Sequence, residues 1–502
     1  MTRKLLIALL SLLITSCLAA KDPNMLIIMV DDMGYGDLKS YNPDSKIPTP
    51  HLDQLAAEGM RFTDAHSAGS LCHPSRYGLM TGQLPYRIDY GKWPQHALID
   101  PGRTTVASLL KGEGYRTAMV GKWHLGFEEN GYENPLPGGP VDVGFDTFFG
   151  IRASTDIPPY FYIDGDRALV PPIDRIDNNY SDDGWTRIQG AFWREGGISP
   201  NLQLEDVLPR FTDEAVGVIR DHARSETEDP LFLYLAYPAP HTPWLPSPAF
   251  HGLTNDMYGD FMAMVDYMIG RVLIALEQSG MKDDTLVIFS SDSGPVWYDK
   301  DTERYEHAST GGMRGMKGDA YEGGHRMPFL VRWPGEIEAG SVTDQTVCFT
   351  DVLATVAEIT GRELKEDEGP DSFSFLAALK GDGKKHTEAR APLVLESARG
   401  HFSIRSGKWK YINGLGSGGF SDGFSNAYKA VKPGPNDPTA QLYDMEKDPG
   451  ETTNLYASHP EVTKRLLKQL KADVFSGRST EGPASANDHK DITLWKSGQD
   501  KG

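Results

Sequence analysis

The sequence predicts an α/β protein with a large mixed, mostly parallel sheet flanked by helices, followed by a smaller C-terminal α+β subdomain. Short apolar runs alternate with helical patterns over most of the chain, which is typical of a parallel sheet covered on both faces. Ionisable residues follow several of these runs. Beyond Gly361 the pattern changes to short strands and one amphipathic helix, which indicates a separate small unit.

The predicted elements of the main sheet succeed one another as strand and helix. Fully apolar runs such as Met25–Val30 are typical of strands buried on both faces, and a glycine follows or ends most of the helical segments. The predicted strands are Met25–Val30, Tyr115–Val120, Leu231–Tyr237, Thr285–Phe289 and Pro328–Trp333. The predicted helices are Thr49–Gly59, Thr104–Gly114, Leu208–Arg224, Met257–Gly280 and Asp351–Gly361.

The C-terminal unit is predicted to combine an antiparallel sheet with a helix. Its strands are Leu393–Glu396, Phe402–Arg405 and Trp409–Ile412, and its helix is Pro460–Phe475. We therefore divide the chain into a catalytic domain (21–385), a C-terminal subdomain (386–480) and a polar tail (481–502). The last two dozen residues are expected to fray because they are polar.

The acidic net charge of the chain argues against nucleic acid as a partner. The 502 residues include 70 acidic and 50 basic ones, which gives a formal net charge of -20. Binding to nucleic acid through neutralised phosphates is therefore not expected. An anionic substrate would need a local cationic pocket.

The N-terminus resembles an export signal. Basic Arg3 and Lys4 precede an apolar run that is too short to span a bilayer. The sequence before Cys17 resembles a bacterial lipobox, which predicts a lipoprotein signal at 1–16 and a lipid anchor on Cys17. Ordinary cleavage of a signal peptide (1–20) is the alternative. We expect an exported protein in the periplasm or on the outer membrane or cell surface, ahead of free secretion.

Cysteine usage excludes a disulfide framework. The chain has only three cysteines, Cys17, Cys72 and Cys348. Cys348 lies in an apolar run and is expected to be a buried, unreactive thiol.

Ionisable side chains cluster where predicted strands end. Ligands bind at the carboxyl edge of open α/β sheets, so these side chains are expected to share one site. They are Asp31, Asp32, Lys122, His124, His241 and Asp292. Three carboxylates without a His or Cys cluster favour Ca²⁺ over zinc, and the Lys and His residues would bind an oxyanion beside it.

A motif that begins at Cys72 indicates the chemistry of the predicted site. Residues 72–82 read CHPSRYGLMTG and match C-x-P-S-R-x-x-x-x-T-G. On this motif the chain resembles the type I, formylglycine-dependent sulfatases of the alkaline phosphatase superfamily, over roughly residues 24–475. Five further family blocks occur in family order, at 30–34 (VDDMG), 121–126 (GKWHLG), 240–241 (PH), 291–294 (SDSG) and 315–318 (GMKG) with 322–324 (EGG).

The resemblance implies a modified nucleophile and a sulfatase fold of the alkaline-phosphatase type. Cys72 would be converted to Cα-formylglycine by a formylglycine-generating or an anaerobic sulfatase-maturing enzyme. One hydroxyl of the hydrated aldehyde, a gem-diol, would attack sulfur, and C–O cleavage would then release sulfate and restore the aldehyde. The position also suits this chemistry, because a residue that opens the helix expected to follow Pro74 would lie among free N–H groups at the positive end of the helix dipole.

The resemblance also assigns roles to individual residues. Asp31, Asp32, Asp292 and an oxygen of the modified Cys72 would bind Ca²⁺, and Arg76 would orient the diol. Four residues would surround the sulfate oxygens, namely Lys122, His124, His241 and Lys317. His241 is favoured over Lys317 as general acid for the leaving oxygen. The family usually has Asn, Gln or His where this chain has Ser293, which leaves open whether Ser293 binds the metal directly, through water or not at all.

The predicted substrate is a sulfated polysaccharide or oligosaccharide. His307, Arg314 and Arg326 are candidate substrate contacts because they lie near Lys317 in sequence. Aromatic candidates for sugar subsites lie beside or near the motif blocks, at Trp93, Trp123, Trp244 and Trp297. The alternatives are a phosphonate monoester or phosphodiester hydrolase that uses the same formylglycine site, and a catalytically silent glycan-binding lipoprotein.

Overall fold

The computed structural model describes residues 22–181, 185–186, 188–225, 227–381, 390–423, 434 and 437–494. The predicted signal segment, Cys17 and the domain boundary predicted at 385/386 lie outside the described residues. Among the helices of the described ranges, none is both long and apolar enough to cross a bilayer.

The strands and helices of these ranges are numbered in chain order. Strands β1 to β18 are Asn24–Asp31, Met60–Phe62, Ala65–His66, Arg116–Lys122, Thr147–Ile151, Ile163–Asp164, Arg167–Ala168, Asp174–Ile176, Gly196–Ile198, Leu231–Pro240, Thr285–Ser291, Phe329–Arg332, Ser341–Thr343, Val347–Cys348, Leu393–Glu396, Phe402–Ser406, Trp409–Ile412 and Gln441–Asp444. Helices α1 to α10 are Pro50–Glu58, Cys72–Thr81, Val106–Gly112, Val207–Arg224, Met257–Gln278, Asp299–Tyr305, Glu322–His325, Asp351–Ile359, Leu376–Leu379 and Pro460–Phe475.

The main sheet has ten strands in the order β13-β2-β12-β11-β1-β10-β4-β5-β6-β7. Its centre is parallel, since β1 pairs with both β10 and β11, and β4 pairs with both β10 and β5, all in the same direction. β12 runs antiparallel to β11. The predicted class, a mixed and mostly parallel sheet, is confirmed.

Both faces of the sheet are covered, as the apolar strand sequences predict. Along β1, Ile27 faces the hydrophobic cluster that contains Leu79 of α2, whereas Ile28 faces the opposite cluster, which contains Phe211 of α4. Successive strand residues point to opposite faces, so a strand between two helical layers must be apolar at every position.

The C-terminal unit is a four-stranded antiparallel sheet, β15-β16-β17-β18, packed with α10. Val394 of β15 and Leu470 of α10 belong to the same hydrophobic cluster as Ile27. The small sheet therefore continues the core of the large one. The sequence pattern did not reveal β18, which is only four residues long.

The polar tail, which was expected to fray, is anchored at two positions within 481–494. Asn487 and Leu494 are buried there, whereas most of the other residues of this range are exposed. The Asn413 amide donates to the Leu494 carbonyl at 2.7 Å, and Arg87 Nη1 donates to Asn487 Oδ1 at 3.1 Å. Hydrogen bonds to buried residues of the main fold hold the tail at these two points despite its polar composition. The cysteine expectation is confirmed for Cys348, which is a free, buried thiol.

We predict that Asp371→Asn destabilises the fold by about 3 kcal/mol, because it leaves the Arg87 charge buried without its partner. Both side chains are fully buried, and Arg87 Nη2 lies 2.7 Å from Asp371 Oδ1. Chemical denaturation measures the loss. Asp488→Asn removes the partner of Arg103 from a pair in which Asp488 is 50% exposed, and we expect it to cost less than about 1 kcal/mol. Equal losses in the two variants would contradict a special role for the buried pair.

Candidate active site

The neighbouring strands β11, β1, β10 and β4 deliver their terminal residues to one edge of the sheet. Asp31 ends β1 and Lys122 ends β4, while Asp292 and His241 directly follow β11 and β10. The strands are parallel, so these residues converge at the carboxyl edge where ligands bind in open α/β sheets.

Two sharp backbone turns follow the strands. Asp32 and His124 have positive φ angles of 65° and 60°, in a region that non-glycine residues seldom adopt. The N–H of His124 donates to the Arg152 carbonyl at 3.0 Å, which fixes the second turn. Glycine is required at position 121, near the end of β4, because a Cβ there would lie 2.0 Å from the Ala236 carbonyl oxygen. Strained conformations of this kind are common at functional sites.

Cys72 is the first residue of α2 and faces the ends of these strands. Its Sγ lies 3.4 Å from Asp31 Oδ1 and accepts a hydrogen bond from Lys317 Nζ at 3.1 Å. One potential ligand atom each from Asp31, Asp32, Cys72 and Asp292 lies within 4.8 Å of the others. The motif cysteine and the strand-end carboxylates thus form one buried cluster.

The loop that carries Lys317 is fixed by backbone contacts. The Lys317 N–H donates to the Pro295 carbonyl at 2.9 Å, and the Gly318 N–H donates to the Ser70 carbonyl at 2.8 Å. A Cβ at Gly294 would lie 1.9 Å from the Gly323 carbonyl oxygen, so the backbones of two motif blocks touch. These contacts hold Lys317 against Cys72.

Each of the three carboxylates has its own cationic partner. Arg76 Nη2 lies 2.7 Å from Asp292 Oδ2, and Lys317 Nζ lies 2.5 Å from Asp32 Oδ1. Lys122 pairs with Asp31. Buried charges require such pairing.

The electrostatic environment differs between the acids. Burial opposes ionisation of Asp31, but the nearby charges, Lys122 first, hold the pKa of its carboxyl well below the usual range. Burial, followed by repulsion from Asp31, raises the pKa of Asp292. Burial and then the Asp292 and Asp31 charges also raise the pKa of the Cys72 thiol. An unmodified Cys72 is therefore a neutral thiol at pH 7, which is a poor nucleophile.

Ser293 and His241 complete the surroundings of Asp32. Ser293 is fully buried and its hydroxyl donates to Asp32 Oδ1 at 2.9 Å. His241 Nδ1 lies 2.7 Å from the Thr242 carbonyl, an acceptor, so Nδ1 carries a proton. Nε2 lies 3.7 Å from Asp32 Oδ2 and faces the cluster. Burial, followed by repulsion from Lys122, lowers the pKa of His124, which favours its neutral form.

A cleft of about 190 Å³ opens above the cluster. Trp93 and Trp244 line it, and Trp93 stacks on His124 with ring centroids 4.5 Å apart. Trp123 and Trp297, the other tryptophan candidates, are buried and do not line this cleft. Several lining residues had no signal in the sequence, because no motif contains them; they are Leu71, Ser154, Asp156, Ile157, Ile188, Gln189, Arg194, Thr242, Tyr258, Val296 and Phe420.

The structure does not bring His307, Arg314 or Arg326 to the cleft. His307 is buried against Asp37, with Nε2 2.8 Å from Oδ1. The other two make contacts elsewhere: Arg314 donates to the Glu451 carbonyl at 2.9 Å, and Arg326 lies 2.8 Å from an Asp64 oxygen. Proximity to Lys317 in sequence was misleading, because the loop around Lys317 turns only that side chain towards Cys72. We do not retain these three as substrate contacts.

Comparison with known proteins identifies the family. The sulfatase family model matches residues 23–362, more than half of the chain. The chain belongs to the sulfatase family. This sulfatase is 33% identical to an N-acetylgalactosamine-6-O-sulfatase of Bacteroides thetaiotaomicron, over 90% of this chain and 93% of the relative. It is 34% identical to human arylsulfatase A, over 90% of this chain and 87% of the relative.

A solved structure from a study of glycosaminoglycan metabolism by Bacteroides thetaiotaomicron superimposes on this sulfatase with a TM-score of 0.78 and 31% identity. The match covers 91% of this chain and all of the other. The resemblance drawn from the motifs is confirmed, and the chain is a sulfuric ester hydrolase.

Proposed function

We propose that this sulfatase hydrolyses sulfate esters of carbohydrates, with formylglycine at position 72 as the nucleophile and Ca²⁺ as the metal. The observation that carries the proposal is the position of Cys72. It stands at a helix start, 3.1 Å from a lysine ammonium and within a cluster of three aspartates. A hydrated aldehyde at this position would lie within reach of a Ca²⁺ ion bound by the aspartates and of the Lys317 ammonium, which can bind an anion.

The donor set fits Ca²⁺. Asp31, Asp32 and Asp292 offer hard oxygen ligands, an oxygen of modified residue 72 would add another, and the Ser293 hydroxyl already contacts Asp32. Among the described residues, this cluster contains no histidine and only one sulfur ligand, Cys72, so zinc is disfavoured. When bound, Ca²⁺ would polarise an oxygen of the sulfate ester.

The cationic residues suit an oxyanion. Burial opposes the charge of Lys317, but the Asp32 carboxylate raises the pKa of its ammonium well above the usual value. Lys317, which stays charged, would act with Lys122 to neutralise the sulfate oxygens as negative charge grows, and the neutral His124 ring would contribute a hydrogen bond. Arg76, anchored on Asp292, would orient residue 72.

His241 is our candidate general acid. Its Nδ1 proton is engaged by the Thr242 carbonyl, so only Nε2 can deliver a proton to the leaving oxygen. That step requires the imidazolium form. Lys317, which holds its proton tightly beside Asp32, is less suited to proton donation.

The substrate is proposed from the relatives and the cleft. A relative that is 33% identical over nearly its whole length is named for N-acetylgalactosamine-6-sulfate hydrolysis. The Trp93 ring at the cleft offers an aromatic face for a sugar. We propose a sulfated oligosaccharide or polysaccharide as substrate. We retain the phosphonate monoester or phosphodiester alternative only as an outcome of the test below, because the matched family is that of sulfatases.

The cellular setting is also a proposal. We propose that the chain is exported through its N-terminal signal, with Cys17 as a lipid anchor in the periplasm or on the outer membrane. A formylglycine-generating or anaerobic sulfatase-maturing enzyme would act on Cys72 as its partner.

A substrate panel tests the function. We expect sulfate release from 6-O-sulfated N-acetylgalactosamine, measured by ion chromatography, to exceed release from the same sugar sulfated at another hydroxyl. Turnover of a phosphate diester and a phosphonate monoester should be far slower, because each offers two unsubstituted oxygens to the site where a sulfate ester offers three. The Cys72→Ala variant, produced with the same maturing enzyme, is the control. Faster turnover of either phosphorus ester would favour the alternative.

Activity should require conversion of Cys72. Protein produced with a maturing enzyme should carry the aldehyde at residue 72 by peptide mass spectrometry, and activity should rise in proportion to the converted fraction. Protein produced without that enzyme should be inactive, because the thiol stays protonated. Cys72→Ala should abolish turnover but keep the melting temperature within a few degrees, since only one buried sulfur is lost. Full activity with unmodified Cys72 would disprove the mechanism.

Metal removal should lower both activity and thermal stability. Binding of Ca²⁺ to the native state alone stabilises it, so a chelator should lower the melting temperature and added Ca²⁺ should restore it. The same chelator saturated with Ca²⁺ beforehand is the control. Unchanged activity after metal analysis has verified removal would refute the assignment.

A further inference from the structure

Asp156 is a buried acid on the wall of the cleft that no sequence motif indicated. It follows β5, is 3% exposed and lines the cleft beside His241. Its Oδ1 lies 3.8 Å from His241 Nδ1. Asp156 therefore lies beside the proposed general acid, next to the ring nitrogen that does not deliver the proton.

The two oxygens of Asp156 differ in their contacts. Oδ2 pairs with Arg194, whose Nη1 also donates to the Asp156 carbonyl at 3.1 Å. Oδ1 is buried and has no hydrogen-bond partner among the described residues. A buried carboxylate oxygen without a donor is unfavourable, so this atom requires a partner from outside the chain.

An orienting role towards His241 does not account for Oδ1. The separation of 3.8 Å exceeds a hydrogen bond. The Nδ1 proton of His241 is already given to the Thr242 carbonyl at 2.7 Å. The His241 Nδ1 proton, which lies on the side of Asp156, is therefore bonded to Thr242 and not to Asp156.

We propose that Asp156 Oδ1 accepts a hydrogen bond from a ring hydroxyl of the sugar that carries the sulfate, and that Arg194 fixes the carboxylate in this orientation. This inference rests on the proposed carbohydrate function and adds a residue that selects the leaving sugar. A site built to bind a hydroxyl discriminates strongly against a ligand that lacks it, because the acceptor is then left unpaired.

The test compares two leaving groups in the converted, Ca²⁺-loaded enzyme. One is the sulfated sugar that the wild type hydrolyses best, and the other is p-nitrophenyl sulfate, whose leaving group has no hydroxyl donor. Asp156→Ala should lower kcat/KM on the sugar by roughly 10- to 100-fold, the effect of a hydrogen bond to a charged group. It should change kcat/KM on p-nitrophenyl sulfate less than about threefold. Asp156→Asn, which keeps an uncharged acceptor, should lose less on the sugar.

Asp213→Ala is the matched control. Asp213 pairs with Arg271, with Oδ1 2.7 Å from Nη2, but is largely exposed and does not line the cleft. It should leave both kcat/KM values within about twofold of the wild type. A series of sulfated sugars, each lacking one hydroxyl, then identifies the hydroxyl that Asp156 binds. For the sugar that lacks this hydroxyl, the wild type should have a lower kcat/KM than for the complete sugar, and Asp156→Ala should cause no further loss.

Equal losses on both substrates would overturn the inference, because Asp156 would then act through His241 or the fold. An unchanged kcat/KM on the sugar would overturn it as well. A wild type that hydrolyses p-nitrophenyl sulfate but no sulfated sugar would instead overturn the proposed carbohydrate function, and this inference with it.

Discussion

Compensation of three buried aspartate charges is the constraint on which the site depends. Asp31, Asp32 and Asp292 converge because β1 and β11 are neighbouring parallel strands. Such a group is stable only with opposite charges at contact distance. Arg76 and Lys317 come from α2 and from the loop before α7, and Lys122 ends β4. Charge pairing therefore connects five separate parts of the chain at the proposed catalytic site.

The same arrangement explains why the site suits an oxyanion beside a hard cation. Lysines in direct contact with the carboxylates bring positive charge to this site, in a chain whose net charge is -20. Long-range repulsion of an anionic substrate is thus offset only inside the cleft. Neutral His124 and the Trp93 ring next to it make part of the wall apolar, which strengthens the remaining electrostatic contacts.

The C-terminal unit takes part in forming the site. The Ala398 N–H donates to the Gly318 carbonyl at 2.8 Å, directly after Lys317, and Phe420 lines the cleft. The small sheet shares one hydrophobic cluster with the large one. Packing of a distant segment thereby positions the lysine that contacts Cys72. Removing this unit would expose apolar core and free the Lys317 loop together.

The sequence by itself determined the central strands, the long helices, the cysteine motif and the convergence of Asp31, Lys122 and Asp292. These follow from local apolar periodicity, fixed motif spacing and the rule that parallel strands end at one edge. Only the tertiary structure decided that Asp156 lines the cleft, that His307 does not, and that the polar tail is anchored at Asn487 and Leu494. Those outcomes depend on which face of a loop meets a segment far away in the chain, and no local pattern records that contact.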